Sequence, residues 1–228
     1  MKTLIIIPAY NEGENIERVV SDLQQNYPQY DYVVINDGSG DNTEEVLIKN
    51  GYNHITHPVN LGLAGAVKTG MMYASKKGYD AAIQFDGDGQ HDARYIEEMV
   101  QKIEEGYNIV IGSRFVTEKK PKTMRMLGNN LIQAAVRITT GANITDTTSG
   151  MRMFDKEMIK RLSTAVDMGP DPDTVALLIR HGAKVCEIQV QMHDRIAGKS
   201  YLNFSRSINY MLRMFVSILI LQWFRKGK

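Results

Sequence analysis

Ala81-Ala82-Ile83-Gln84-Phe85-Asp86-Gly87-Asp88-Gly89-Gln90-His91 runs straight from an apolar segment into a pair of carboxylates. The first five residues read as a buried strand, and the glycines permit a tight turn at its end. Two carboxylates so close repel each other unless a cation lies beside them. Hard oxygen ligands favour Mg²⁺ or Mn²⁺, which often bridge to a diphosphate. A strand-end Asp-x-Asp therefore suggests a metal–nucleotide site. Alone the motif is weak, because Asp-Gly-Asp-Gly also occurs in plain turns and calcium loops. A calcium loop is disfavoured here, since the ladder of Asp/Asn ligands and its closing Glu are missing.

Working outward, strand-like runs recur at Leu4–Ile7, Tyr32–Ile35, His54–Thr56 and Ile109–Ile111. Amphipathic segments lie between them, near Glu14–Gln25, Thr43–Lys49, Ala64–Lys77 and Tyr95–Glu105. Such alternation implies parallel strands joined by right-handed crossovers. Ligands in these sheets bind beyond the carboxyl ends of the strands. Tyr10, Glu12, Asp37, Asn60, Asp86, Asp88 and Arg114 all sit at those ends. Polar groups from several strands converging on one edge say more than any single motif. In the second half, Met124–Thr140, Asp155–Ala165 and Thr174–Arg180 read as helices and Lys184–Gln191 as a further strand. Asp146–Gly150 and His193–Asn203 read as polar loops, the second leading to a last apolar helix.

The chain has 228 residues and 43% apolar content, enough for one full domain with a small appendage. The expected division is a catalytic domain over 1–204 and an apolar, basic C-terminal helix over 205–228. A net charge of +1 provides no global drive toward nucleic acid. The single cysteine, Cys186, excludes an intrachain disulfide framework and reads as a small buried apolar residue. Leu4–Ile7 is too short for a secretory signal and is stopped by Pro8, so a cytoplasmic location is expected. Gly62–Thr69 resembles a phosphate loop but lacks the glycine just before Lys68, and no Gly-x-Gly-x-x-Gly follows Leu4–Ile7. Both absences count against those nucleotide-binding classes.

Seven pieces occur in one order from about Thr3 to Tyr201. They are Pro8-Ala9-Tyr10-Asn11-Glu12, Asn36-Asp37-Gly38-Ser39, Asn60-Leu61-Gly62, Asp86–His91, Gly112-Ser113-Arg114, Ser149-Gly150-Met151-Arg152, and Arg195 with Gly198 and Ser200. Together they resemble the family 2 glycosyltransferases, in the branch of dolichol-phosphate mannosyltransferase and bacterial polyprenyl-phosphate glycosyltransferases. The resemblance implies an α/β GT-A fold: a Rossmann-like, mostly parallel nucleotide-sugar-binding sheet flanked by helices, here followed by a C-terminal amphipathic helix. It implies a nucleotide-diphosphate sugar as donor, Mg²⁺ or Mn²⁺ as cofactor, and a polyprenyl phosphate lipid as acceptor in cell-envelope glycan synthesis, with inversion at the sugar. Pro8, Ala9, Tyr10, Glu12, Asp37, Asp86, Gly87, Asp88 and Arg114 would contact the donor. Asp88 and Gln90 would hold the metal, with Asp86 on the nucleotide or beside the metal. A carboxylate can accept from a base N–H or ribose hydroxyl, and a tyrosine can pack on a flat ring. Each residue also has a plainer reading: Tyr10 in a turn, Gln90 and His91 at a helix start, Arg114 in a surface ion pair.

Breaking a sugar–phosphate bond leaves negative charge on the departing diphosphate, which a metal and an arginine are suited to stabilise. The expected catalytic set is Asp86, Asp88, Arg114 and Asp146. A phosphate acceptor with a second pKa near ~6 is already anionic at neutral pH. It needs cationic guides more than a base. Arg125, Arg152, Arg195 and Lys199 are the guides available, and the resemblance favours Arg125 and Arg195. A sugar hydroxyl would instead need a base; Asp146, Asp171 and Asp173 are candidates, although Asp173 also reads as a residue at a capped helix start. Transfer to a growing glycan therefore stays open, as does a non-catalytic nucleotide-sugar-binding subunit, against which Asp86, Asp88 and Arg114 count.

Two departures stand out. Asn36 replaces the first Asp of the family's frequent Asp-Asp-Gly-Ser, which opens the base preference, and Ala197 stands where many members carry a second arginine. The apolar tail Met211–Phe224 has roughly 14 residues and a reach of about 21 Å, short of a bilayer span. Trp223 and Phe224 beside Arg225-Lys226-Gly227-Lys228 suit a membrane interface. Peripheral attachment to the cytoplasmic face of the membrane is expected, aided by a small membrane-protein partner or by homo-oligomer formation; the alternative is a helix packed on its own domain. UDP-glucose is the first donor expected, ahead of UDP-N-acetylglucosamine, UDP-galactose and GDP-mannose.

Overall fold

The structure, a computed structural model, describes residues 1–165, 168–193, 204–220 and 224, with the backbone alone at 125 and 204–208. Seven strands form one sheet: β1 (Thr3–Ala9), β2 (Asp31–Asn36), β3 (His54–Thr56), β4 (Ala81–Gln84), β5 (Ile109–Ser113), β6 (Arg152–Asp155) and β7 (Val185–Gln189). The spatial order is β3-β2-β1-β4-β6-β5-β7. Every neighbouring pair is parallel except the two made by β6, which runs antiparallel between β4 and β5. The expected mostly parallel α/β sheet is thus observed.

β1 explains the layering. A strand buried on both faces reads as a continuous apolar run rather than an alternation, and Leu4, Ile5, Ile6 and Ile7 are all fully buried. Leu4 and Ile6 face one core, Ile5 and Ile7 the other. The first core is covered by α3 (Gly62–Lys77), α5 (Met124–Thr140), α6 (Lys156–Thr164), α7 (Pro172–Arg180) and α8 (Phe204–Leu219). The second is covered by α1 (Ile16–Asn26), α2 (Thr43–Lys49) and α4 (Ile96–Glu104), the last entered through a 3-10 turn at Ala93–Tyr95.

Helix starts follow local chemistry. Thr123 caps α5 by accepting from the Met126 N–H at 3.3 Å, and Asp155 caps α6 by accepting from Met158 at 2.8 Å. Pro172 occupies the first position of α7, where its missing N–H costs nothing.

β6 is the element that sequence patterning missed. Arg-Met-Phe-Asp is too short for a period of two and begins with a charge. It becomes a strand because Arg152, Met153 and Phe154 find partners on both sides, in β4 and β5. The C-terminal helix packs on its own domain: Met211 lies against Gly128 of α5, and the Tyr210 hydroxyl donates to Asp171 at 2.8 Å. Ser217 donates to Asp173 at 2.7 Å. Asp171 and Asp173, weighed as bases, therefore accept hydrogen bonds from α8. Among the described residues, no helix is long and apolar enough to cross a membrane.

Candidate active site

From β1 the chain goes on to β2 and β3 on one side, whereas β4 lies on the other. The strand order therefore reverses between β1 and β4, which opens a crevice at their carboxyl ends. The loops after β1, β2 and β3 build one wall. Asn11 N–H donates to Ser39 Oγ at 3.0 Å, Gly40 N–H to Asn11 Oδ1 at 2.9 Å, and Glu12 N–H to Thr43 Oγ1 at 3.0 Å. Gly38 has a φ of +66°, and a Cβ there would lie 2.7 Å from the Val59 and Asn60 backbone. Only glycine fits that approach. Tyr10 is exposed on this rim, and Glu12 Oε2 accepts from Asn15 at 2.7 Å.

Asp37 is buried beneath the wall. Its Oδ1 accepts from the Leu61 N–H at 2.9 Å and lies 2.7 Å from His57 Nδ1. His57 Nε2 in turn lies 2.9 Å from Thr69 Oγ1. Asn36 is also buried, its amide bridging Ser39 N–H (3.2 Å) and Thr56 Oγ1 (3.4 Å). The residue in place of the first family Asp is thus a brace for the β2 and β3 loops.

The β4 loop forms the floor. Asp86 N–H donates to His91 Nδ1 at 2.9 Å. Because Nδ1 accepts, the ring proton belongs on Nε2, which lies 3.5 Å from Asp86 Oδ2. Gln84 Nε2 donates to Asp86 Oδ1 at 3.2 Å, and the Asp86 side chain remains one-third exposed. A Cβ on Gly150 would lie 2.9 Å from Asp86 Oδ2, so that glycine keeps the carboxylate open. Asp88 is nearly buried, with Oδ1 accepting from the Gln90 N–H at 3.0 Å. Gln90 pairs with His193: its carbonyl accepts from the His193 N–H (2.9 Å), and its side-chain amide donates to the His193 carbonyl (3.3 Å). His193, the last described residue before Arg195, is therefore tied to this floor.

Just past β5 stands Arg114, gripped by Asp146. Nε donates to Asp146 Oδ2 at 2.7 Å and Nη2 to Oδ1 at 2.9 Å, the bidentate fork that suits a guanidinium and a carboxylate. Asp146 is fully buried; its N–H donates to Glu187 of β7 at 2.8 Å, and Asn129 of α5 reaches Oδ1 at 3.5 Å. In this arrangement Asp146, named above as a candidate base, positions the arginine. Lys120, passed over in the sequence, donates to Asn130 at 2.9 Å and Gln133 at 2.7 Å. Burial, with Arg114 nearby, holds its pKa below the usual lysine range.

The four expected acceptor cations are divided. Arg152 is buried, its guanidinium donating to the carbonyls of Pro170 and Thr147. Burial pulls its pKa down against the opposing pull of Tyr210, Asp171, Asp146 and Asp86. Arg152 was expected among the acceptor-phosphate guides; lying in β6 between two strands, it instead braces the site from beneath. Arg125 lies in the first turn of α5. Arg195 and Lys199 lie outside the described residues.

The model of glycosyl transferase family 2 matches residues 4–163, which include β1 through β6 and the whole crevice floor. The chain belongs to this family. Among its relatives, the UDP-N-acetylglucosamine–dolichyl-phosphate N-acetylglucosaminyltransferase of Methanococcus voltae is 36% identical over 180 residues, 70% of this chain and 71% of the relative. The polyprenol monophosphomannose synthase of Mycolicibacterium smegmatis is 27% identical over 226 residues, 93% and 85% of the two chains. Glucosyl-3-phosphoglycerate synthase from Mycobacterium tuberculosis, solved with Mn²⁺, UDP-glucose and phosphoglyceric acid, superposes with a TM-score of 0.71 at 17% identity, covering 99% of this chain and 81% of that one. That likeness shows the GT-A fold.

The family 2 reading left out His57. It stands one residue past β3, at the same edge that drew attention to Asn60, and a titratable side chain just beyond a strand end is the signal that could have flagged it.

Proposed function

We propose that this glycosyltransferase moves one sugar, with inversion, from a nucleotide-diphosphate sugar to a polyprenyl phosphate at the cytoplasmic face of the membrane. The observation that carries the acceptor is the state of Asp146: fully buried, both oxygens on Arg114, it is ill placed to take a proton from a sugar hydroxyl. An acceptor that brings its own negative charge needs no such base. The relatives named for transfer to dolichyl and polyprenyl phosphates support the same choice. UDP-glucose is the proposed donor; the relative named for a UDP-linked sugar supports the uridine part.

A divalent cation suits the floor, where the Asp86 carboxylate is open to the crevice and Asp88 lies two residues away. Among the described residues, no three His, Cys, Asp or Glu side chains converge as a cage. Mg²⁺ commonly takes one or two carboxylates and completes its shell with substrate phosphates. Asp88, Gln90 and Asp86 would hold it, and when bound it supplies countercharge to the diphosphate. Arg114 faces the same departing charge. Tyr10 and Glu12 border the nucleoside, while Asp37 sets the wall behind it.

His57 should act through Asp37. His57→Ala leaves the buried Asp37 carboxylate and the half-buried Thr69 hydroxyl without this partner, which costs about 1–3 kcal/mol. We expect donor KM to rise about tenfold with a smaller change in kcat, and His57→Asn, which can still donate to Asp37, to recover part of it. An alanine variant with unchanged donor KM would remove this role.

The reaction itself is tested by incubating the protein with Mg²⁺ or Mn²⁺, a panel of UDP- and GDP-sugars, and undecaprenyl phosphate, and scoring lipid-linked sugar. Product from one donor is expected. Donor turnover with no lipid product, but with product on a glycan hydroxyl, would replace the lipid acceptor.

A further inference from the structure

Helix α5 has two apolar faces, and among the described residues only one is covered. Met126, Ile132, Ala135 and Val136 are buried in the core. Met124, Leu127, Leu131 and Ile138 are 60%, 54%, 51% and 77% exposed. At 3.6 residues per turn these four fall within roughly 60° of arc, in a stripe about 21 Å long. A surface helix normally turns one apolar stripe inward and polar residues outward; a helix that is apolar on both sides belongs between two apolar layers. Alongside, α8 packs on α5 through Met211 and Gly128 and adds Leu212 and Val216, with Ile220 just past its end, all exposed.

We infer that the outer face of α5, extended by the outer residues of α8, docks on an anionic lipid bilayer with the helix lying in the headgroup plane. Charge complementarity supports lipid. Lys119 and Lys122, exposed just before the stripe, and Arg137 and Arg213, exposed along it, flank apolar residues with cations. That combination binds interfaces through buried apolar area plus attraction to anionic headgroups. Position supports it as well. The inner face of the same helix carries Asn129, which contacts Asp146 and accepts from Thr147 at 2.8 Å. A bilayer on the outer face would lie about one helix diameter, roughly 10 Å, from the Arg114–Asp146 pair. A membrane-anchored acceptor phosphate would arrive at that level, and in this respect the inference rests on the proposed reaction. It shifts the main contact from the C-terminal helix to α5.

The test is co-sedimentation of the full chain with phosphatidylcholine vesicles, with and without phosphatidylglycerol, in the absence of donor and polyprenyl phosphate. The chain should bind the phosphatidylglycerol vesicles, and less so at high salt. Leu127→Glu/Leu131→Glu should weaken binding at least about tenfold. Both sites are exposed, so the melting temperature should hold. Lys119→Glu/Lys122→Glu, outside the helix, should weaken binding to the anionic vesicles alone. Wild-type protein left in the supernatant, or glutamate variants that bind as wild type, would overturn the docking face. So would a dimer that the Leu127→Glu/Leu131→Glu variant splits while vesicle binding persists, which would make the stripe a subunit interface. Transfer to a short, water-soluble polyprenyl phosphate, measured without vesicles, tests the reaction independently of docking.

Discussion

Asp88→Ala should reduce sugar transfer by about 10³-fold or more, on the order of 4 kcal/mol of transition-state stabilisation. The size of this effect follows from position. Asp88 sits at the turn beyond β4, almost buried, with one oxygen fixed by the Gln90 N–H at 3.0 Å. A carboxylate held that way is oriented before substrate arrives, which is where electrostatic stabilisation is most effective. Asp88→Asn separates charge from shape: its amide oxygen can keep the Gln90 contact, so the fold should survive while turnover stays low. Initial rates across a Mn²⁺ series, with melting curves on each variant, make the measurement. Either variant turning over within tenfold of wild type would remove Asp88 from metal binding.

What the sequence made legible follows from locality. β1 was readable because four fully buried residues stand in a row, and the strand-end residues because alternating strands and helices put their carboxyl ends on one edge. Partnerships across distance were not readable. Asp37 meets His57 across 20 positions, and Arg114 meets Asp146 across 32. Arg152 counts among the available cationic guides in the sequence; its burial comes from strands β4 and β5 closing on either side. In α5 the apolar spacing announced a helix, but which of its two faces stays exposed among the described residues depended on the placement of α7 and α8.

Arg114→Ala should damage both the fold and the reaction, and a second substitution should pull the two apart. The single variant leaves the Asp146 carboxylate fully buried without its guanidinium. Removing one partner of a buried ion pair typically costs about 3–5 kcal/mol, because an uncompensated charge remains. The Arg114 side chain is partly exposed, so water can enter and the lower end of that range is expected. Asp146→Asn in the same chain removes the orphaned charge while keeping a group that can bond Asn129 and Thr148, so the melting temperature should largely recover. Turnover should not recover, since the cation proposed to face the departing diphosphate is still gone; a loss of about 10²–10³ in kcat is expected in both variants. Thermal melts and steady-state kinetics on the single and double variants decide the matter. If activity returned together with stability, Arg114 would matter only for holding Asp146 in place, and the countercharge on this side of the crevice would have to come from another cation, with Lys120, which interacts with both Arg114 and Asp146, one described candidate.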